Sequence, residues 1–247
     1  ETLAEAVAAV EDNTTATIEL LADADGSGIF LAANKGKNIT IDFGGKTYTI
    51  TSGPVGSTGY ETQGLHLEKG NTVTLKNGKL TSSADSGVKM LVQKYCALTL
   101  EDMELDGTKL SGNETHYVLS NNNGITTLTG TTKITAAEGD VAFDVYYWPN
   151  GGYPSVTVEI ASDDVVIEGT VEYAHDGTDP EGFKENAKLI IPSGYELKAP
   201  EGYEWADYEA GKQILKADTS VAKIGDVKYE TLAEAVAAVE DNTTATI

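Results

Sequence analysis

The first eighteen residues of the chain, ETLAEAVAAVEDNTTATI, recur letter for letter at 230–247. Identity over that length is not chance. The chain therefore carries a repeat with a period of 229 residues, one full period followed by the opening of the next. The segment has a legible local structure. Thr2 followed three residues on by Glu5 is a capping box, in which the hydroxyl accepts an exposed amide and the carboxylate reaches back. Leu3, Ala6, Val7 and Val10 then fall at spacings of three and four, the apolar stripe of a short helix. Asn13 is suited to a left-handed turn, and TATIEL reads as a strand. Helix, turn and strand are thus expected twice, with the second copy ending inside its strand. On this reading the chain belongs to something longer.

Between the copies a shorter motif recurs, loose in its letters and firm in its physics. NITIDFGGKTYTI, NTVTLKNGKLTSS, CALTLEDMELDGT and GITTLTGTTKITA each hold a short alternating strand, a polar or glycine bend and a second short strand. PSVTVEI and NAKLIIPSGYELKA continue the series. A third strand often precedes the pair: GIFLAAN, GLHLEKG, VKMLVQKY, HYVLSNN and VAFDVYY. Leu75, Leu100 and Leu128 lead successive units. A sandwich needs hairpins with two-residue turns, and only KNGK at Lys76 has that form. Each strand is expected to pair with its counterpart one turn later, which predicts a parallel solenoid. Ile39, Ile41, Val73, Leu75, Leu98 and Leu100 stack inside it, and threonines and lysines face water. Asparagines at the corners (Asn34, Asn38, Asn71, Asn123) supply left-handed geometry and amide ladders.

These rungs resemble a right-handed parallel β-helix of the pectate-lyase-like type, and the helix of YETLAEAVAAV resembles the N-terminal cap of such folds. The arrangement resembles tandem modules of very large bacterial cell-surface, adhesin-like proteins, especially of Gram-positive anaerobes. The expected organisation is a capping helix and lead-in at 1–16, rungs at 17–200, a closing segment and junction at 201–229, and the start of the next repeat at 230–247. Roughly seven rungs at about 4.8 Å each give a module about 35 Å long.

Composition narrows the partners. Seventeen lysines face 39 acidic residues, for a net charge of −22, and there is no arginine. So negative a surface repels nucleic acid and anionic membrane. No apolar run is long enough to span a bilayer. The single cysteine, Cys96, excludes an internal disulfide and reads as a small buried hydrophobe.

Candidate chemistry is sparse. The resemblance implies, for lyases of this fold, a basic residue that is often arginine beside acidic calcium ligands; arginine is missing here. For hydrolases it implies aspartates on neighbouring rungs. Asp163–Asp164 is the close pair, but adjacent strand residues point to opposite faces, and both read as turn residues. His66 and His116 sit in similar third strands and His175 lies apart, without a metal-ligand spacing. Asp23 and Asp25 in ADADGSG resemble half of a calcium loop, lack the distal glutamate, and read as a turn. The ligand-binding candidates are Tyr146, Tyr147, Trp148 and Tyr153, around a Pro-Asn-Gly-Gly turn where aromatic rings can stack on sugars or anchor a protein. Packing beneath their own loop is the competing role.

The expectation is therefore a non-catalytic structural module of a bacterial surface stalk or adhesin, extracellular, without cofactor or metal. Its partners are identical neighbouring modules, head to tail, and a host glycan or protein. The alternative is a carbohydrate-binding or carbohydrate-cleaving β-helix. At the seam, the stripe Leu232, Ala235, Val236 and Val239 is expected to pack into a junction, into the next solenoid or against another molecule, because an isolated helix this short is unstable in water.

Overall fold

The structure, a computed structural model, describes residues 1–150, 152–239 and 245–246. It is a β-solenoid of about six turns, opened by a short helix. Helix α1 (Leu3–Ala9) is followed by a first turn of β1 (Thr15–Glu19), β2 (Ala24–Ser27) and β3 (Ile29–Leu31). The second turn is β4 (Asn38–Asp42), β5 (Thr47–Ser52) and β6 (Gln63–Leu67). In the third and fourth, two faces merge into one long strand: β7 (Thr72–Ser82) with β8 (Met90–Lys94), then β9 (Ala97–Asp106) with β10 (Tyr117–Asn121). The fifth is β11 (Gly124–Thr129), β12 (Lys133–Thr135) and β13 (Val141–Tyr147). The sixth is β14 (Val156–Ile160), β15 (Val166–Glu168) and β16 (Thr170–His175). After it come α2 (Pro180–Asn186), β17 (Ala187–Pro192), β18 (Tyr203–Asp207), β19 (Lys212–Ala217), β20 (Ala222–Ile224), β21 (Val227–Tyr229) and α3 (Leu232–Ala237).

Each strand pairs in parallel with its counterpart one turn on. One face runs β1-β4-β7-β9-β11-β14-β17, and another β3-β6-β8-β10-β13-β16. Register places like residues in columns. Ile18, Ile41, Leu75, Leu100, Leu128 and Ile160 are successive partners. On the other face, Ile29, Leu65, Val92, Leu119, Phe143 and Val171 are. Alternation explains this: with a period of two, one slip would turn every apolar side chain to water. The six residues expected inside, Ile39 to Leu100, are all buried. Each contributes about 1.5–3 kcal/mol relative to exposure.

Several expectations need correction. There are about six turns, not seven, because β19 pairs antiparallel with β17 through Ile190↔Ile214 and ends the parallel series. KNGK is a corner and not a hairpin turn. Asn77 adopts φ 58° inside β7, and both flanks, Lys76↔Glu101 and Gly78↔Met103, continue in parallel with β9. The reversing two-residue turn lies at Gly225–Asp226, between antiparallel β20 and β21, with Gly225 at φ 59°. Of the corner asparagines, Asn34 is left-handed at φ 58°, whereas Asn38 is an exposed strand residue. Asn71 and Asn123 act through their amides, donating to Ala32 O (2.9 Å) and Tyr95 O (2.6 Å) on the preceding turn.

The sparse lysines brace neighbouring turns. Lys35 reaches Asp12 at 2.9 Å, Lys79 reaches Glu104 at 3.0 Å and Asp106 at 2.7 Å, and Lys133 reaches Glu168 at 2.9 Å. No described helix is long and apolar enough to cross a membrane.

Candidate functional site

The aromatic candidates lie at the end of β13 and in the loop that follows. Strand alternation sends Phe143, Val145 and Tyr147 inward. Tyr147 is 3% exposed, packs 6.3 Å from the Phe183 ring and donates its hydroxyl to Asp179 Oδ2 at 3.2 Å. It is therefore separated from the other three candidates. Tyr146 points the opposite way and is half-buried. Trp148 and Tyr153 come together across the loop, their rings stacked with centroids 5.7 Å apart and 29° between planes.

The loop folds back on the start of the molecule. Tyr153 donates its hydroxyl to Glu68 Oε2 at 3.0 Å, across 85 residues of sequence, and Lys69 Nζ lies 4.8 Å from its ring centroid. Asn150 Nδ2 donates to Asp176 Oδ2 at 2.7 Å and ties the loop to the sixth turn. Beneath Tyr153 the rings continue as a spine: Tyr95 at 4.7 Å, His66 5.7 Å from Tyr95, and Phe30 stacked on His66 at 5.3 Å and 13°. His66 and Tyr95 are thereby buried. His66 Nε2 faces Glu68 Oε1 at 2.8 Å, and its Nδ1 is buried without a hydrogen-bond partner. Glu68 is held below the usual carboxylate range, chiefly by His66, with burial opposing and Tyr153 assisting. The loop thus lies over the outer face of the β6–β8 strands.

A second polar cluster was not foreseen. Lys94 lies at an inward position in the column Leu67, Lys94, Asn121, and is fully buried. Its Nζ donates to Asn123 O at 2.7 Å. Asp144 accepts from Ser120 Oγ at 2.9 Å and from the Asn121 amide. Asn121 Nδ2 donates to the Asp144 carbonyl at 2.7 Å, and its Oδ1 accepts from Thr126 Oγ1 at 2.6 Å. Burial pushes Lys94 down to about 7 and Asp144 up to about 7; their mutual attraction opposes both shifts. Burial also raises the neighbouring Cys96 thiol to about 12, so it holds little thiolate at neutral pH.

The remaining candidates are dispersed. His116 Nδ1 faces Asp140 Oδ2 at 3.1 Å and its Nε2 faces Ser111 O at 2.9 Å, a set of contacts it does not share with His66. Asp163 and Asp164 occupy an exposed turn, with the Asp164 amide donating to Ser162 Oγ. ADADGSG is not the expected turn: Ala24–Ser27 is strand β2 paired with β5, because that stretch must close the first turn. Asp23 Oδ1 there accepts from Thr47 N at 2.8 Å. Among the described residues, no group of three or more His, Cys, Asp or Glu is placed to hold a metal.

The seam holds the second copy of the helix. Both copies of the helix carry the same capping box: Thr2 N–Glu5 Oε2 at 2.8 Å in α1, and Thr231 N–Glu234 Oε2 at 3.0 Å in α3. In α1, Leu3 and Val7 are buried and join the core, with the helix packed on β2 and β3. In α3, Leu232 is 59% exposed and Val236 56%, while Ala235 is buried, the helix packing on β20 and β21. Ala235 is the buried member of the stripe, and β20–β21 is too small to cover Leu232 and Val236 as well. The TATI strand expected at 244–247 has its ends outside the described residues.

No family model, no curated protein and no solved structure matches this chain.

Proposed function

We propose that the chain is a non-catalytic structural module of a tandem array, forming a stiff shaft on a bacterial surface and joining neighbouring modules head to tail. One observation carries this reading. A helix of identical sequence occurs at both ends, and at the first it lies on the open end of a solenoid with Leu3 and Val7 buried. The second presents Leu232 and Val236, the same side chains, to water. A second solenoid turn of the kind formed by β1–β3 is the surface that fits them. Burying one leucine and one valine there gains about 3–6 kcal/mol before ordering costs. An open solenoid end also exposes unpaired strand edges, which such a helix covers.

The non-catalytic part is supported by the dispersal of the carboxylates, many of which are engaged with lysines or backbone amides. Two measurements test the proposal. Small-angle scattering of a chain holding two complete periods should give a rod of fixed length, and hydrogen exchange should show protection across 230–239. Freely jointed modules, or rapid exchange throughout that helix, would overturn the shaft. Release of reducing or unsaturated ends from acidic polysaccharides, lost on replacing one acidic residue, would overturn the absence of catalysis.

A further inference from the structure

We propose that a cavity at the C-terminal end of the solenoid binds a small ring compound bearing a carboxylate. The cavity, about 430 Å³, opens between β16, α2, β17 and the β18–β19 hairpin. It lies within the size range of small-molecule sites. It shares no lining residue with the loop at 146–153 and does not depend on the module reading.

Its interior is aromatic and aliphatic. Phe183, Ala187 and Leu215 are buried at its base. The Tyr173 ring stands 4.8 Å from Phe183 and meets Tyr203 edge-on at 4.9 Å, with 73° between planes. His175 lies 4.7 Å from Phe183 on the other side. The Tyr173 hydroxyl donates to Ala187 O at 2.6 Å, which fixes that wall. Rings set at such angles offer faces and edges to a flat ligand.

Charge at the mouth distinguishes this cavity from the rest of the surface. The chain has 39 acidic residues against 17 lysines, yet Lys184, Lys188 and Lys216 line the cavity with no aspartate or glutamate among the lining residues. Lys184 is bonded to Glu181 at 2.7 Å. Glu204, the strand partner of Lys216, gives its carboxylate to Lys228 at 3.0 Å. His175 Nδ1 accepts from Gly177 N at 2.9 Å, which leaves Nε2 as the ring nitrogen that can donate. An apolar ring face meets the aromatic wall, and its carboxylate meets the lysines. The carboxylate bearer is either a uronic acid or an aromatic acid.

The test is equilibrium binding of two matched probe pairs to the full chain, digalacturonate with galactobiose and 2-naphthoate with 2-naphthol. At least one acid should saturate, bind about tenfold or more tightly than its neutral partner, and weaken as salt is raised. Amide chemical-shift changes should fall within 173–217. The double substitution Lys188→Glu and Lys216→Glu, at residues on the rim, should weaken binding about tenfold or more. Saturation by digalacturonate assigns the uronate, and saturation by naphthoate the aromatic acid. The proposal is overturned if neither acid saturates below about 10 mM. Equal binding of the neutral partner, shift changes centred on 146–153, or indifference to the charge reversal also overturns it.

Discussion

Leu3 and Leu232 hold the same place in the same eighteen-residue segment, yet Leu3 is 6% exposed and Leu232 59%. Local code is therefore equal in the two copies, and tertiary context accounts for the difference. Leu3→Ala should cost about 2–4 kcal/mol, as a buried truncation that opens a cavity. Leu232→Ala should stay within about 0.5 kcal/mol. In a chain of two complete periods the second substitution should rise to the cost of the first. Urea unfolding of the three variants and their two parent chains measures all of this.

The corner of the solenoid is turned by left-handed residues in four consecutive turns: Gly44, Asn77, Asp102 and Gly130, with φ between 52° and 62°. Asn77 Nδ2 donates to Asp42 Oδ1 at 3.1 Å, and Asp102 Oδ1 accepts from Thr131 N at 2.8 Å. Each side chain thus ties its corner to an adjacent turn. Asn77→Ala should cost about 1–2 kcal/mol from backbone strain. Asn77→Gly should cost less, since glycine relieves the strain and only the amide bond is lost. A glycine variant as unstable as the alanine variant would place the cost in the hydrogen bond alone.

The loop at 148–154 should behave as a clasp. Tyr153→Phe keeps the ring on Tyr95 and Trp148 but loses the bond to Glu68, at a cost of about 0.5–1.5 kcal/mol. Tyr153→Ala should cost about 3 kcal/mol or more if the loop cannot collapse onto the gap. It should also move Trp148 fluorescence toward the red as that ring loses its stacking partner. Unchanged emission in the alanine variant would show that the clasp does not shelter Trp148.

The solenoid was legible in the sequence because alternation and register are the same signal: Ile41, Leu75, Leu100 and Leu128 mark a column as soon as their strands are aligned. The helix at 2–11 was legible through Thr2 and Glu5. The fate of α3 was not, since identical letters cannot report what packs against them. KNGK misled because Asn-Gly fits a reversing turn and a left-handed corner equally well, and only the partner strand decides. Helix α2 did leave a mark, Asp179-Pro180, an N-cap followed by proline at the first helical position. The cavity it helps wall depends on Tyr173 and Tyr203 meeting across 30 residues, which no local pattern encodes. Lys94 was visible only by parity, as a charge at an inward position of VKMLVQKY. Asp144 points outward, and nothing in strand parity hides it.

Lys94 and Asp144 should give the stability of this protein opposite pH slopes on either side of neutrality. Burial raises Asp144 from 3.8 to about 7. Between those values the unfolded chain has released the proton and the folded chain still holds it, so stability falls as pH rises from about 4 to 7. Burial lowers Lys94 from 10.5 to about 7. Above 7 the unfolded chain holds the proton and the folded chain has released it, so stability climbs from about pH 7 to 10. Each limb has a limiting slope of about 1.4 kcal/mol per pH unit, reduced where the two charges attract each other near pH 7. The many other carboxylates add their own slopes, and differences between variants remove them. Asp144→Asn should flatten the acid limb relative to the parent chain, and Lys94→Met should flatten the alkaline limb. Met fills the space of the lysine stem without a charge, but it leaves Asp144 without its counter-charge and Asn123 O without its donor, so it should lower stability near pH 7. Denaturant midpoints between pH 4 and 10 decide the matter. Parallel curves for parent and both variants would mean that neither group changes its protonation on folding.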